Sequence, residues 1–131
     1  MKIIGIIGSR SRDDHEDHKA IYQEFKKFYE DGDKICSGGC KKGGDRFAEL
    51  IANRIGLTEE NGGLIIHKPK PVPKGSPKYM YAKSNFERNT LIARDSMILI
   101  ACVSFNRKGG TEDTIKKWKR LGNDLVNLII I

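Results

Sequence analysis

Apolar residues fall along this chain in short runs that alternate between two periods. Ile3 to Ile7 is a charge-free run, β-branched on either side of Gly5, that stops at Gly8-Ser9-Arg10. Such a run reads as a strand buried on both faces. The polar stretch Asp13 to Asp17 suits a helix N-terminus; Ile21, Phe25 and Phe28 then recur at helical spacing until Gly32. Lys34-Ile35-Cys36 is a second strand, ending at Ser37-Gly38-Gly39. After Gly43-Gly44-Asp45 the helical period returns, with Phe47, Leu50, Ile51 and Ile55 on one face and Gly56 at its end. Leu64-Ile65-Ile66 is a third strand, and a weaker helical segment runs from about Ser84 to Arg94. Met97 to Phe105 is the strongest strand signal. A loop from Asn106 to Gly110 leads into a helix over Thr111 to Leu121 that turns Ile115 and Trp118 inward. Gly122 ends that helix, and Leu125 to Ile131 reads as the last strand.

The order is therefore β-α-β-α-β-loop-α-β-α-β. Strict alternation at these lengths predicts an α/β fold, with a mainly parallel five-stranded sheet covered by helices on both faces. Right-handed crossovers favour strand order 3-2-1-4-5, a three-layer Rossmann-like arrangement. The 131 residues suffice for one domain, 1–131, with no internal repeat or linker.

One stretch breaks the pattern. Lys68 to Lys83 holds Pro69, Pro71, Pro73 and Pro77, all the prolines of the chain, with five lysines and no acid. Prolines exclude a helix from its first half. An extended loop at the ligand end of the sheet is expected, serving either as a basic flap over an anion or as a solvated connector.

Charge narrows the partner class. The net charge is +7, which suits nucleotides, nucleic acids or phosphorylated metabolites. The N-terminal apolar run is too short for a signal peptide, and no segment approaches a transmembrane helix. A cytoplasmic protein with no membrane partner and reduced thiols is expected. Cys36 and Cys40 form a C-x-x-x-C pair with no second pair or nearby histidine to complete a zinc set, so Cys36, Cys40 and Cys102 read as ordinary thiols. His15, Asp17 and His18 have the residue types of a metal site, but an acidic helix start accounts for them. No metal and no cofactor are expected.

In an open parallel sheet, ligands bind beyond the C-terminal strand ends where strand order reverses, here between strands one and four. Strand one delivers Gly8, Ser9 and Arg10; strand two delivers Ser37, Gly38 and Gly39; strand four leads to Arg107, Lys108, Gly109, Gly110 and Thr111. A glycine turn before a helix lets a ligand reach the backbone, and the helix N-terminus offers free N–H groups to phosphate. Gly109-Gly110-Thr111 fits this, as does Gly38 through Asp45, including Gly43. Arg10 adds a guanidinium fork. The chain has neither G-x-x-x-x-G-K-[ST] nor G-x-G-x-x-G, which argues against a P-loop NTPase and an ordinary dinucleotide dehydrogenase.

Gly8-Ser9-Arg10, the block Ser37 to Glu49 (SGGCKKGGDRFAE), Arg88-Asn89 and Gly109-Gly110-Thr111 together resemble the SLOG superfamily of Rossmann-like nucleotide-binding proteins. The branch resembled is the YspA-like, cpYpsA-related one, related to the LOG "lysine decarboxylase-like" phosphoribohydrolases and to the Smf/DprA proteins. The resemblance spans about 3–131 and is most specific in the second block. It implies a site for a nucleotide or nucleotide derivative, such as one related to ADP-ribose, lined by the Gly38-Gly39 turn, Asp45, Arg88, Asn89 and the Gly109-Gly110-Thr111 turn. Asp45 would accept ribose hydroxyls or cap the second helix. The expected role is ligand binding or sensing.

LOG-like cleavage of the N-glycosidic bond of a nucleoside monophosphate is the alternative. Arg88 stands where that family's catalytic arginine would, but its glutamate position is Thr114, and Glu112 and Asp113 point elsewhere on a helix. Whether the chain is an enzyme stays open. The stretch Phe86 to Ala93 also resembles DprA and implies single-stranded nucleic-acid binding, to which the Lys-rich loop, Tyr79 and Tyr81 would contribute. Lys116, Lys117, Lys119 and Arg120 read as solvated helix positions. Members of the family often self-associate, and a homo-oligomer stays open here.

Overall fold

The most apolar runs of the chain occupy the middle of the sheet. In the computed structural model, which describes every residue from Met1 to Ile131, the elements are β1 (Ile3–Gly8), α1 (His15–Phe28), β2 (Lys34–Ser37), α2 (Gly44–Arg54), β3 (Leu64–Ile66), α3 (Lys78–Asp95), β4 (Ile98–Cys102), α4 (Gly110–Arg120) and β5 (Leu128–Ile130). The five strands pair in parallel in the order β3-β2-β1-β4-β5. This is a three-layer Rossmann-like α/β fold. No helix is long and apolar enough to cross a membrane.

The period of two along the strands sorts their side chains into two cores. Ile4, Ile6, Ile35, Ile98, Ile100 and Cys102 face α1 and α2, where they meet Ile21, Phe25, Phe47, Ala48 and Ile51. Ile7, Cys36, Leu99, Ala101 and Val103 face α3 and α4, where they meet Ile92, Ala93, Ile115 and Trp118. The central strands carry apolar residues at both parities because both faces are covered. Ile115 and Trp118 point inward as expected, and the Trp118 indole N–H donates to the Ser96 carbonyl at 2.9 Å.

Several boundaries differ from the sequence expectation. The Pro/Lys-rich stretch is extended only to Pro77; Lys78 to Lys83 form the first turns of α3. Pro77 sits at the N-cap, just outside the helical interior where a proline would break a hydrogen bond. Hydrogen bonds from Ser84 Oγ to the Lys70 carbonyl (2.6 Å) and from Tyr81 Oη to the Pro73 carbonyl (3.3 Å) fold the extended part back on the helix. β4 stops at Cys102, because Ser104 opens a turn, and Phe105 is 96% exposed. Leu125–Asn127 is a short 3₁₀ turn, leaving β5 only Leu128–Ile130. Leu50 lies outside the core, on the exposed face of α2.

Gly5 sets how closely Ser96, the link between α3 and β4, lies on β1. A Cβ there would lie 2.8 Å from the Cβ of Ser96 and would strike its Oγ. Gly5→Ala is therefore expected to destabilise the fold by about 1–3 kcal/mol, the usual range for an overpacked core. Ser96→Gly removes the colliding atoms, so the double variant should be more stable than the two single losses would sum to. Urea denaturation of the three variants measures this coupling, and strict additivity would show that the two positions do not meet.

Candidate functional site

The two central strands open into a cavity at the point where strand order reverses. The Ser9 N–H donates to the Cys102 carbonyl at 2.8 Å, holding the ends of β1 and β4 together. Beyond them lies a cavity of about 440 Å³, inside the range of about 300–1,000 Å³ typical of small-molecule sites. Of the residues expected at a site, Gly8, Ser9, Arg10, Asp45, Arg88, Asn89, Gly109, Gly110 and Thr111 line it. Ser37, Gly38, Gly39 and Gly43 do not.

Ser37, Gly38 and Gly43 pack behind the lining residues, while Gly39 lies against Ile66 and Lys68. The Ser37 hydroxyl is buried 2.6 Å from the Ile6 carbonyl oxygen and 2.8 Å from an Asp45 carboxylate oxygen. The second Asp45 oxygen accepts the Cys40 N–H at 3.1 Å. Asp45 therefore does not cap α2; it braces the turn that leaves β2. Arg88 Nη1 donates to the Gly38 carbonyl at 2.7 Å, and Nε donates to Asn89 Oδ1 at 2.9 Å. Gly38 is squeezed between these groups: a Cβ would lie 2.8 Å from both Arg88 Nη1 and Asp45 Oδ2. At Gly43 (φ +73°) a side chain would run into the Ser9 carbonyl, and at Gly8 a Cβ would lie 2.9 Å from the Gly44 N. Gly8 and Gly43 allow backbone to pack on backbone, whereas Gly38 makes room for the Arg88 and Asp45 side chains.

The two helix N-termini near the cavity differ in electrostatics. At α2, the Asp13 carboxylate accepts the Gly43 N–H at 2.6 Å and Arg46 Nε at 3.0 Å. The chain's own carboxylate occupies the place expected for a ligand anion. At α4, Gly109 (φ +105°) is the N-cap and no side chain caps the first turn. Its two acids are engaged elsewhere. Glu112 takes both prongs of Arg107, at 2.8 and 2.9 Å, and Asp113 pairs with Asn89 (3.1 Å) and Lys117 (2.9 Å). The N–H groups of that turn are left for the cavity.

The loop before α4 is held in shape. The Ser104 hydroxyl donates to Asn106 Oδ1 at 2.7 Å, and the Lys108 N–H donates back to Asn106 Oδ1 at 3.3 Å. Asn89, buried in α3, donates to the Gly110 carbonyl at 3.3 Å and fixes α4 from the other side. Arg10 and Lys108 line the cavity with exposed side chains that make no hydrogen bond or ion pair in the chain.

Sequence reasoning missed several lining residues. Ala82, Asn85 and Phe86 come from the first half of α3, and Ile7, Cys40, Ile92 and Thr114 complete the wall. The helical start at Lys78 was hidden by prolines and lysines, so the face carrying 82, 85 and 86 had no visible period. Thr114, at the position where a LOG-like enzyme has its glutamate, donates to the Gly110 carbonyl at 3.1 Å. Asp45 is the only carboxylate lining the cavity, and both its oxygens are in use. Residues 68–81 do not reach the cavity wall. The histidines of α1 have other roles: His18 stacks on Phe47 with ring centroids 5.0 Å apart, and burial, then the neighbouring His15, lowers its pKa. Asp17 closes a capping box with Asp14 and pairs with Arg12 at 2.9 Å.

Comparison with protein-family models, with curated proteins and with solved structures finds no match to this chain.

The Asp13 clamp predicts a pH dependence. The Gly43 N–H, then Arg46, holds the Asp13 carboxyl below its ordinary value of 3.8. A depressed folded-state pKa stabilises the fold above the unfolded value, and the contribution is lost as pH falls through the folded one. Asp13→Asn is therefore expected to be less stable than the parent at neutral pH, with the difference closing in strong acid. Chemical denaturation at a series of pH values checks this; a difference that persists unchanged below the carboxylate range would remove the charge from the explanation.

Proposed function

We propose that this protein binds a small phosphorylated nucleotide, or a nucleotide derivative related to ADP-ribose, as a ligand-binding or sensing protein. One observation carries the reading: two unpaired cations, Arg10 and Lys108, share a preformed cavity with the uncapped N-terminus of α4. A helix terminus supplies only about 0.3–1 kcal/mol to an exposed anion. The two side chains are therefore needed to hold a phosphate, and Arg10 suits its oxygens as a planar fork. Phe86, half-exposed at the rim, offers a face for a base, and Asn85 offers an unengaged amide for ribose hydroxyls. The resemblance of the GSR, SGGCKKGGDRFAE, RN and GGT segments to SLOG proteins supports the same ligand class.

N-glycosidic hydrolysis is the second reading. Arg88 favours it, because its second guanidinium nitrogen makes no bond in the chain while the residue lines the cavity. Against it, Asp45 is a poor general acid where it stands, committed to Ser37 and Cys40, and cleavage needs a group to protonate the leaving base.

A thermal-shift screen against mononucleotides, NAD, ADP-ribose and short single-stranded DNA tests the proposal, with each hit followed by chromatography for conversion. A ligand at a hundred times its Kd adds about 2.7 kcal/mol of stability. A mononucleotide or ADP-ribose shift without products supports binding, whereas released base, lost in Arg88→Ala, establishes the hydrolase. Stabilisation by DNA alone overturns both. Arg10→Ala is expected to weaken the hit about tenfold or more, since a charge-assisted hydrogen bond contributes about 1.5–3 kcal/mol. The melting temperature without ligand should stay at the parent value.

A further inference from the structure

A cluster of three side chains with unlike chemistry lies apart from the cavity. Cys36 of β2 is fully buried on the sheet face covered by α3 and α4. Its register partner on β3 is Ile65. Two residues further on, the strand's period of two brings His67 to the same face, where its N–H continues the ladder to the Ser37 carbonyl at 2.9 Å. Asp95, the last residue of α3, closes the group from above, with its Oδ2 2.5 Å from His67 Nε2. One donor atom from each of the three lies within 4.8 Å of the others.

We propose that Cys36, His67 and Asp95 form a binding site for a divalent cation of the Zn²⁺ class, with water as the remaining ligand. The donor set decides the class. Thiolate and imidazole suit Zn²⁺ and Co²⁺, whereas Mg²⁺ and Ca²⁺ take oxygen donors. Bonds of about 2.0–2.3 Å in a tetrahedral shell put donors roughly 3.3–3.8 Å apart. To take up that spacing His67 and Asp95 must open from 2.5 Å and each settle within reach of the Cys36 sulfur, from which both now lie no more than 4.8 Å. Those two side chains can move and admit the ion, being 20% and 37% exposed, while the sulfur is closed off behind them. Thiolate and carboxylate together balance the two positive charges, so the shell is neutral in a mostly apolar setting.

The same residues also have the types of a Cys-His-Asp nucleophile, and the geometry excludes that use. The sulfur has no exposed surface for a substrate to approach. Coordination by the cation displaces the thiol proton to solvent. None of the three residues lines the cavity described above, so this site stands independently of the nucleotide proposal. Its structural effect would be a staple, tying the short edge strand β3 and the end of α3 to β2.

Cobalt titration of the chelator-treated, full-length protein tests the site. The expected result is a near-ultraviolet thiolate-to-cobalt charge-transfer band with the visible bands of tetrahedral Co²⁺, displaced by Zn²⁺. Cys36→Ser should abolish the charge-transfer band. Even a residue that only orients a metal ligand accounts for about 10–100-fold in affinity. His67→Ala and Asp95→Asn should accordingly each weaken Zn²⁺ binding by about 100-fold or more. If Cys36→Ser fails to fold by circular dichroism, those two partly exposed positions carry the test. Cys40→Ser should leave the band unchanged. The absence of a charge-transfer band in the folded parent overturns the site, as does a band that follows Cys40 or survives loss of His67 and Asp95.

Discussion

The N-terminus of α2 lies backbone against backbone on the end of β1, and the rest of the site depends on that approach. A Cβ on Gly44 would strike the Gly8 N and the Ile7 carbonyl, and one on Gly43 would strike Ser9. With side chains at these positions, α2 would stand further from the sheet, and the turns after β1 and β2 would not meet. Asp13 then fastens the contact from the α1 side by accepting the Gly43 N–H and holding Arg46. Gly38, pressed between Asp45 and Arg88, extends the same close packing to α3. Each glycine is required by a neighbour's backbone or a fixed polar group, so this wall is rigid before any ligand arrives.

That arrangement separates two features that look alike along the chain. Both α2 and α4 follow glycine turns, and both begin without a side-chain cap at their N-cap residues. A carboxylate is already in place at α2. At α4 the acids of the first turn are drawn sideways, Glu112 to Arg107 and Asp113 to Asn89 and Lys117. Free positive potential is thus concentrated on the β4 side of the crevice, where Arg10 reaches across from β1. The cavity thus faces one uncapped helix end rather than two.

Much of the fold was legible because both cores are built from unbroken period-two runs. Ile3 to Ile7 and Ile98 to Cys102 have apolar residues at both parities, which only a strand covered on both faces can use. The strand order followed from the alternation and from handedness. The errors share one cause: local polarity was taken for local structure. Phe105 is apolar but belongs to a turn, where its ring stays exposed with the Arg12 guanidinium 5.6 Å from its centre. Lys78 to Lys83 is polar and follows prolines, yet it is helical, because a proline at the N-cap leaves the hydrogen bonds of the helix interior intact. At the site, glycine turns were visible, but their partners were not. Nothing local in the sequence distinguishes a glycine that admits a ligand from one that admits a neighbouring backbone.

The helix that was hardest to see serves two environments. Ala82, Asn85 and Phe86 give its N-terminal half to the cavity, Arg88 and Asn89 line it from the middle, and Ile92 and Ala93 bury the C-terminal part in the core, with Ile92 also reaching the cavity wall. A helix packed only on a core shows one apolar stripe. In α3 the inward face changes from polar to apolar part-way along, so no single stripe exists and the period is blurred. Arg88 and Asn89 stand at that change, where a core-facing helix would place apolar residues. Arg88 donates instead to the Gly38 carbonyl and to Asn89, and Asn89 donates to the start of α4, while the second terminal nitrogen of Arg88 has no partner in the chain. A weak helical period bearing inward polar residues, only some of them partnered within the fold, is thus what a helix looks like when one half packs on the sheet and the other half lines a cavity.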